Sequence, residues 1–430
     1  MTRLLYYFLT FCFLFECLSA VKVSPPRPWA KVISSPTSPA IPVDDYTPAV
    51  VPNGNTANYQ VEDGVKVFHL VAEEIDWHFA EGLHAKVWGY NGSTPGPLIE
   101  VAEGDRVRIY VTNKLPAPTT IHWHGILLPC GMDGVAGVTQ PPIPPGETFV
   151  YEFSLPDAGT FMYHSHYDSM TQEGMGLVGM FIVHKREPDL KKRPDRDFVI
   201  LLNEWNIPAG SSKPNPLEMG DFNILTMNGK VMPDTEPLVA KLGDRVWIRY
   251  GNLSAMDHHP IHLHGYAFKI IGSDGGWAPN PDLLMPETTV LVPVGATRVT
   301  EFLANNPGDW IFHCHMTHHT MNQMGHKFPN MLGMDTSGFD KKVQKLLPGY
   351  RTMGTTGMRD MTKMGLPLPK NSIPMLGYDK QFWSTVFGGM ANILKVREYL
   401  ESYDDPGPYP FPEQTQAHKV SNQNTYDEPR

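Results

Sequence analysis

Four landmarks occur twice in this chain, in the same order and at nearly constant spacing. The second occurrence follows the first by between 139 and 149 residues each time. A repeat of this length predicts two tandem copies of one domain. The landmarks, given by their first residue in each copy, are Gly-Asp-Arg-Val at 104 and 243, His-X-His at 122 and 262, Gly-X-Thr at 146 and 295, and His-X-His at 164 and 313.

The sequence within the copies has the pattern of β-strands. Short runs of alternating apolar and polar residues at 65–71, 106–111, 148–153 and 177–183 lie between Gly and Pro turns, as they do in sandwiches and barrels. The chain contains 38 Gly and 41 Pro among 430 residues, and helical bundles do not tolerate so many. We therefore expect an all-β protein of two similar Greek-key sandwich or barrel domains.

The N-terminus has the features of a cleaved signal peptide at 1–20. Arg3 precedes an apolar core, and the segment ends in the small residues Ser19 and Ala20. A membrane anchor is the alternative, which Glu16 within the apolar stretch disfavours. No later segment is apolar for long enough to cross a bilayer. We expect a secreted or periplasmic protein without a stable membrane span.

The rest of the chain divides by composition. Residues 21–58 are rich in Pro, Ser, Thr and Val and are predicted to form an extended arm. The two domains are placed at 59–187 and 188–340, where a charged, Pro-broken linker separates them. Residues 341–430 hold Met, Gly, Pro and Lys in irregular order and are predicted to form an irregular, Met-rich extension. The sequence leaves open whether 389–399 is a helix or a strand.

Charge and cysteine content disfavour two classes of protein, nucleic-acid binders and disulfide scaffolds. The 35 Lys and Arg residues against 45 Asp and Glu residues give a formal net charge of −10, whereas nucleic-acid binders usually carry a basic excess. Four cysteines are too few for a disulfide scaffold, and Cys12 and Cys17 fall inside the leader. Cys130 and Cys314 are left in the mature chain. If Cys314 binds a metal, Cys130 has no partner and is interpreted as a buried thiol.

Each copy contributes two His-X-His motifs, and together they supply eight imidazoles. Residues i and i+2 of a strand point to the same side, so each motif presents two nitrogen ligands together. Eight ligands are enough for three metal ions. Imidazole binds copper, zinc, iron and nickel, so the residue type alone does not settle the metal. The eight residues are His122, His124, His164, His166, His262, His264, His313 and His315.

The second copy adds a thiolate to this set. Cys314 lies between the two histidines of the last motif, and His259 lies three residues before the third motif. His319 and Met324 follow Cys314 at five and ten residues. Two imidazoles, one thiolate and a distant thioether form the trigonal set of a blue-copper electron-transfer site. The first copy has Thr119, Ser165, Met170 and Met175 at the matching places, so only one such site is predicted.

These residues carry a family resemblance that spans about 60–330. The motifs resemble the four signatures of the multicopper oxidases. Two cupredoxin-like domains with the blue site only in the second resemble the two-domain laccase branch. The Met-rich remainder and the leader resemble the copper-resistance oxidases of bacteria. The motifs are HWHG (122–125), DGVAGVTQPPIPPG (133–146), GTFMYHSH (159–166), HPIHLHG (259–265) and HCHMTHHTMNQM (313–324).

The resemblance implies roles for these residues. It assigns His122 and His262 to a type 2 copper and the other six paired histidines to a type 3 pair. With the type 1 site at Cys314, a functional unit holds four coppers. Asp133 matches an acidic residue that, in this family, helps deliver protons to reduced oxygen. The reaction implied couples four one-electron oxidations of a donor to the reduction of dioxygen to water. Two-domain relatives form homotrimers with the three-copper cluster between subunits.

The donor and the function class have alternatives. Eleven of the 22 Met residues lie at 316–390, and soft thioethers select Cu(I), so cuprous ion is one donor and copper tolerance one role. Phenols are the other donor class. A copper nitrite reductase also has two cupredoxin domains, but Ser165 and the eight histidines disfavour it. A non-catalytic copper store would explain the Met residues and the leader, but not a Cys flanked by two His.

Overall fold

The computed structural model describes residues 46–186, 193–208, 210–220, 222–322 and 387–419, with short pieces at 338, 341–342, 345–346 and 370–373. The predicted signal peptide at 1–20 lies outside the described residues, as do most of the predicted arm and of the Met-rich extension. Within the described ranges, no helix has the length and apolar character needed to span a membrane.

Strands dominate the described part of the chain, which confirms the predicted all-β class. The helical segments between them include α1 (Ser169–Gly174) and 3-10 turns at Cys130–Met132, Pro281–Leu283 and Thr317–Thr320. The strands are β1 (Ala49–Val50), β2 (Tyr59–Glu62), β3 (Val65–Ala80), β4 (Leu83–Tyr90), β5 (Gly96–Ala102), β6 (Arg106–Asn113), β7 (His122–His124), β8 (Thr148–Ser154), β9 (Gly159–His164), β10 (Val178–His184), β11 (Arg196–Trp205), β12 (Ile224–Met227), β13 (Leu238–Lys241), β14 (Arg245–Asn252), β15 (His259–Leu263), β16 (Lys269–Ser273), β17 (Gly276–Trp277), β18 (Thr289–Val292), β19 (Thr297–Leu303), β20 (Gly308–Cys314) and β21 (Ala391–Arg397).

The first β-sandwich is built from two sheets. One has the strand order β2-β3-β6-β8 with β4 also paired to β3, and the other has the order β5-β10-β9-β7. Alternate side chains of both sheets point inward and form one core, which includes Phe68, Ile109 and Phe181. Trp123 lies in this core although both of its chain neighbours are histidines. The strand alternation therefore separates a buried indole from two imidazoles that point the other way.

The second sandwich repeats this plan. One sheet has the order β1-β11-β14-β19-β16-β17 with β12 paired to β11, and the other has the order β13-β21-β20-β15-β18. Its core includes Ile248, Phe302, Phe312 and Leu394. β1, which comes from the segment predicted as an arm, runs parallel to β11.

The last strand shows where the Met-rich segment lies in the fold. β21 is parallel to β13 and antiparallel to β20, as β10 is parallel to β5 and antiparallel to β9. It is therefore the counterpart of β10, although it lies beyond residue 340, where the sequence places the end of the domain. The connection before this strand spans 165–177 in the first sandwich and 315–390 in the second. The Met-rich segment is thus inserted between two strands of the second sandwich.

An apolar cluster joins the two sandwiches. Met162 and Met180 of the first sandwich pack with Val199 and Leu201 of the second, and all four are buried. Burial of this kind stabilises the interface by roughly 25 cal/mol for each Å² of apolar surface removed from water. The two candidate metal-binding regions are therefore carried by one compact body of residues.

Candidate metal centres

The clearest candidate metal site lies in the second sandwich, where β15 and β20 pair. His259 begins β15, Cys314 ends β20, and His319 lies in the 3-10 turn that follows. The strand register sets Ile261 opposite Cys314, which brings the start of β15 close to the thiol. The exposed fractions of His259, Cys314 and His319 are 0%, 0% and 9%, so this site is screened from water.

The three ligand atoms have the spacing of a trigonal metal site. The Nδ1 atoms of His259 and His319 are 3.2 Å apart, and they lie 3.8 and 3.5 Å from the Cys314 Sγ atom. A triangle with these sides contains a point about 2 Å from each corner, close to the usual length of a metal–imidazole or metal–thiolate bond. One thiolate with two imidazoles is the set that copper uses in electron-transfer sites. The residues present therefore fit copper.

A hydrogen bond to one imidazole and a carboxylate contact to the other, both on the far side of the ring, keep Nδ1 directed at this point. Ser254 Oγ lies 2.7 Å from His259 Nε2, and Asp257 Oδ2 lies 3.4 Å from His319 Nε2. Burial lowers the pKa of both imidazoles, so they keep the neutral form that binds a metal. Burial raises the pKa of the Cys314 thiol to about 12, so the thiolate forms only when a cation binds beside it.

Four imidazoles of the first sandwich form a second cluster, the first quartet, at the ends of β7 and β9. The strand register sets His122 opposite His164, and neighbouring ring centroids are 5.3–6.1 Å apart. His124 Nδ1 and His164 Nε2 are 3.2 Å apart, which suits two nitrogens bound at about 2 Å to one ion. The members of the first quartet are His122, His124, His164 and His166.

The second sandwich carries a matching cluster, the second quartet, at the ends of β15 and β20. His262 lies opposite His313 in the strand register, and neighbouring ring centroids are 4.8–5.9 Å apart. His264 Nε2 and His313 Nε2 are again 3.2 Å apart. The two copies of the repeat therefore build the same ligand arrangement. The members of the second quartet are His262, His264, His313 and His315.

Main-chain carbonyls orient equivalent imidazoles in both quartets. In each case the imidazole Nδ1–H donates to a carbonyl oxygen at 2.7–2.9 Å, which leaves Nε2 as the free ligand atom. The same bond at the same place in both copies indicates that the backbone of the repeat selects the tautomer. The donor and acceptor pairs are His122 with Asp133, His164 with Ser165, His262 with Thr288, and His313 with Cys314.

Burial favours the neutral form of four of these eight imidazoles. It lowers the pKa of His122, of His264 and of His313, and it lowers the pKa of His124 to about 4. His164 differs, because the Glu173 carboxylate 3.2 Å from its Nδ1 outweighs burial and raises its pKa. Neutral imidazoles are the form that coordinates metal ions.

The two quartets do not touch each other within this chain. No hydrogen bond or ring contact joins a member of one to a member of the other among the described residues. The first quartet is half-buried or buried, whereas His264 and His315 of the second are exposed. Each quartet alone offers four imidazoles, half of the predicted set of eight.

The first sandwich has no metal ligands where the second has its trigonal site. Ser165 Oγ and Thr119 Oγ1 both donate hydrogen bonds to Gln172 Oε1. Gln172 Nε2 donates to the carbonyl oxygen of Pro118 at 2.8 Å. All three side chains are buried. A closed set of hydrogen bonds therefore occupies this position, as the missing thiolate predicts.

The structure gathers the predicted ligands into the trigonal site and two separate quartets, with one exception. Met324 lies outside the described residues. His319, rather than His318, faces Cys314, as the spacing from Cys314 predicts. Asp133 lies at the first quartet, with its Oδ1 atom 3.3 Å from His122 Nδ1. The expectation that Cys130 is a buried thiol is wrong: Cys130 is exposed, because it begins a short 3-10 turn in a surface loop without buried residues.

Sequence reasoning missed the residues that support the ligands. Asp257 had a weak indication in the sequence, since it comes two residues before the predicted ligand His259. Ser254 and Glu173 had none, because their contacts depend on how loops fold back. Gln172 was missed because the offset of the repeat matches His319 with Met170, whereas α1 directs Gln172 into the corresponding space.

Known proteins provide an independent comparison. Residues 71–188 and 208–332, more than half of the chain, each match the family described as multicopper oxidase. Copper resistance protein A of Escherichia coli is 31% identical over 239 residues, which cover 44% of this chain and 39% of that protein. Laccase-20 of Oryza sativa subsp. japonica is 30% identical over 235 residues, which cover 51% and 39%. The chain thus spans about two fifths of the length of these curated relatives.

A solved structure agrees with the sequence matches. The blue copper oxidase from Nitrosomonas europaea superimposes with a TM-score of 0.57 at 27% identity, covering 77% of this chain and 85% of that one. Each family match covers part of one sandwich and contains the residues of one quartet. The chain therefore belongs to the multicopper oxidase family, and its cofactor is copper.

Proposed function

We propose that this protein takes electrons one at a time from a donor at the Cys314 site and uses four of them, with four protons, to reduce dioxygen to two waters at the histidine quartets. One observation carries the proposal: Cys314 belongs to the trigonal site, while its two chain neighbours belong to the second quartet. Copper supplies the one-electron redox chemistry at each centre when bound. The protein supplies the ligand geometry, the electron route and the proton groups.

The electron route has two parallel branches at its start. Cys314 is joined through the backbone to His313 and His315. In addition, the His313 Nδ1–H group donates a hydrogen bond to the Cys314 carbonyl oxygen at 2.8 Å. The path from the Sγ atom to the His313 ring therefore runs through a few covalent bonds and one hydrogen bond.

The ligand roles are those that the resemblance to multicopper oxidases implies. His122 and His262, one from each quartet, would hold the type 2 copper, and the other six histidines would hold the type 3 pair. Cys314, His259, His319 and Met324 would hold the type 1 copper, which makes four coppers in a functional unit. Asp133, whose carboxylate approaches His122, moves protons toward oxygen.

The separation of the quartets supports a homotrimer. A three-copper cluster needs both quartets, and within one chain they make no contact with each other. The second quartet carries exposed imidazoles, and the exposed Met316 follows His315 in the chain as the exposed Tyr167 follows His166 of the first quartet. In a head-to-tail ring the first quartet of one subunit meets the second quartet of the next.

Mixing two inactive variants tests this arrangement. His122→Ala removes a ligand from the first quartet and His262→Ala removes one from the second. When both chains are co-expressed, a closed ring pairs intact quartets at about a quarter of its interfaces and recovers that share of the activity. A monomer by light scattering with full copper content, or no recovery in mixed rings, contradicts the trimer.

The surroundings of His319 favour a cationic donor, and we propose cuprous ion. His319 is the ligand nearest to solvent, with a side chain 11% exposed, and its Nε2 contacts the partly exposed Asp257 carboxylate. Glu204 lies beside Asp257 and accepts main-chain hydrogen bonds from Met256 and Asp257, but burial raises its pKa to about 8, so Asp257 is the group that supplies the negative charge. Oxidation of Cu(I) outside the cytoplasm would serve copper tolerance, in line with the signal peptide predicted at 1–20.

Oxygen uptake by the copper-loaded protein tests the proposed function. We expect uptake with Cu(I) that is lost in Cys314→Ser, and Asp257→Asn is expected to raise the KM for Cu(I) more than the KM for a phenol. Copper binding without oxygen uptake from either donor would favour a copper store, and reduction of nitrite in place of oxygen would favour a nitrite reductase. Equal effects of Asp257→Asn on both donors would argue against a dedicated cuprous site.

A further inference from the structure

A cavity of about 390 Å³ opens where the two sandwiches meet. It lies beside β10 of the first sandwich and against β11, β14 and β19 of the second, on the face turned away from the second core. This volume and a position between domains are typical of pockets that bind small molecules. None of the proposed copper ligands lines it.

Four rings line this cavity, and each is held in place by the protein. The Trp247 and Trp277 indoles have centroids 5.2 Å apart. The Trp247 Nε1–H group donates to Glu301 at 2.7 Å, and the Trp277 Nε1–H group donates to the Ala158 carbonyl oxygen at 3.1 Å. Both indole N–H groups are bonded to protein, and the Arg249 guanidinium lies 5.4 Å from both ring centroids, so the ring surface that Arg249 leaves uncovered is what the cavity offers to a ligand.

The lining also includes a stacked pair of rings. The Tyr46 ring lies parallel to the His184 ring at 3.9 Å. His184 Nε2 is 2.8 Å from a Glu100 carboxylate oxygen, which also accepts a hydrogen bond from the Ala49 N–H group at 2.7 Å. Flat, rigid aromatic rings in the lining favour a planar ligand, because stacking then costs little conformational entropy.

The charges that line the cavity favour an anion. Four cations face three carboxylates there, in a chain whose net charge is −10. Each carboxylate already has a basic partner: Asp197 with Arg249 at 2.8 Å, Glu301 with Arg245 at 3.0 Å, and Asp282 with Lys269 at 3.8 Å. The cations are Lys185, Arg193, Arg245 and Arg249.

Lys185 is the cation most available to a ligand. Its Nζ atom lies 5.5 Å from the centroid of the Trp277 ring, and it forms no ion pair with any described carboxylate. An aromatic acid whose ring stacks on Trp277 would therefore bring its carboxylate to the Lys185 ammonium. That contact would be a charge-assisted hydrogen bond at the edge of an aromatic surface.

The cavity is distant from His319 and Asp257, where the electron donor is proposed to bind. Asp197 at the cavity and Glu204 near His319 lie seven residues apart on the same strand, β11, which corresponds to about 23 Å. A ligand bound here cannot contact His319 or Asp257. The site is thus separate from the oxidase function proposed above and does not depend on it.

We propose that this cavity binds a small aromatic carboxylate, with the ring stacked on Trp277 and Trp247 and the carboxylate on Lys185. No bond is made or broken in this site. Because the cavity is lined by β10 of one sandwich and β14 of the other, a bound ligand bridges the two sandwiches and stabilises their contact.

Calorimetric titration of the copper-loaded full-length protein with 2-naphthoate tests the proposal. We expect saturable binding, and binding about tenfold weaker for the uncharged 2-naphthamide and in Lys185→Gln, the cost of one lost charge-assisted contact. Trp277→Leu is expected to remove detectable binding. Lys86→Gln, which removes an exposed cation on β4, is the matched control and is expected to bind as the wild type does. An unchanged visible copper spectrum in each variant shows that it has folded.

Three outcomes would overturn the proposal. The first is absence of saturable binding by the folded wild-type protein. The second is equal affinity for the acid and the amide, or equal affinity in Lys185→Gln and the wild type. The third is competition between 2-naphthoate and Cu(I) in oxygen-uptake kinetics, which would place the naphthoate near His319, where the electron donor is proposed to bind. Loss of oxidase activity in Cys314→Ser leaves this site intact, so the two proposals fail independently.

Discussion

The two sandwiches share a backbone plan but fill one equivalent position in opposite ways. The second holds His259, Cys314 and His319 around a point that suits a metal ion. The first holds Thr119, Ser165 and Gln172, whose side chains hydrogen-bond to one another instead. The comparison teaches that the repeated strands create the space and that a few side chains decide whether it binds a metal.

The difference is one of hydrogen-bond donors and lone pairs. In the first sandwich both hydroxyls donate to Gln172 Oε1 and the amide donates to a carbonyl, so each polar group has a partner without any ion. In the second sandwich the two Nδ1 atoms and the sulfur present lone pairs to one another. Such a set is stable when a cation binds to all three.

The largest effect is expected from His259→Thr, which puts the residue of the first sandwich into the second. It removes one imidazole from the trigonal site, and we expect donor oxidation to fall by more than about a hundredfold. His258→Thr is the matched control, because His258 is an exposed neighbour that accepts a hydrogen bond from Val294 N–H. Steady-state oxygen uptake measures both. Equal losses in the two variants would show that the change acts through the loop rather than through the ligand.

Removal of copper tests whether the two sandwiches depend on metal to the same degree. A ligand that binds only the folded state at a thousandfold excess over its Kd stabilises it by about 4 kcal/mol. We expect chelation to lower the Tm of the protein, and to loosen the trigonal site more than the hydrogen bonds around Gln172. Hydrogen exchange before and after chelation locates the effect. Greater loosening around Ser165 than around Cys314 would contradict this expectation.

Glu204 provides a pH-dependent test. The strand register places it at the position of the exposed Glu74 in the first sandwich, but Glu204 is buried. Burial, together with the Asp257 charge, raises its pKa to about 8 from 4.5. The folded state therefore keeps the proton that the unfolded state loses above about pH 4.5. The wild type loses stability as pH rises from about 4.5 to about 8.

We expect Glu204→Gln to stabilise the protein by about 3 kcal/mol at pH 8 and by little at pH 5. Thermal unfolding at both pH values measures this difference. Glu74→Gln is the control for an exposed position, where no such pH dependence is expected. A gain at pH 5 as large as that at pH 8 would show that the carboxyl of Glu204 is not neutral when folded.

The smallest effect is expected from Gln172→Leu. It leaves the Thr119 and Ser165 hydroxyls buried without an acceptor, at a cost of about 2 kcal/mol. Replacing all three residues, with Thr119→Val and Ser165→Ala added, is expected to restore most of that loss, because no unpaired group then remains. Chemical denaturation measures both variants. If the triple variant is no more stable than Gln172→Leu, the loss comes from packing instead.

Several features of the fold and the sites follow from the sequence, and the exceptions have physical reasons. The repeat and the strand alternation predict two β-sandwiches, because both depend on local pattern. The position of β21 does not follow, since the long insertion before it hides its equivalence to β10 and its apolar run suits a helix or a strand. Ligand spacing correctly favours His319 over His318. Asp257 and Gln172 depend on loop conformation, which spacing does not encode.

The account rests on a single blue site in each chain, at Cys314. Electron paramagnetic resonance of the oxidised, copper-loaded protein tests this most directly, with the wild type, Cys314→Ser and Ser165→Ala measured side by side. We predict one type 1 copper signal per chain, absent in Cys314→Ser and unchanged in Ser165→Ala. A type 1 signal that persists in Cys314→Ser, or two such signals per chain in the wild type, would contradict it.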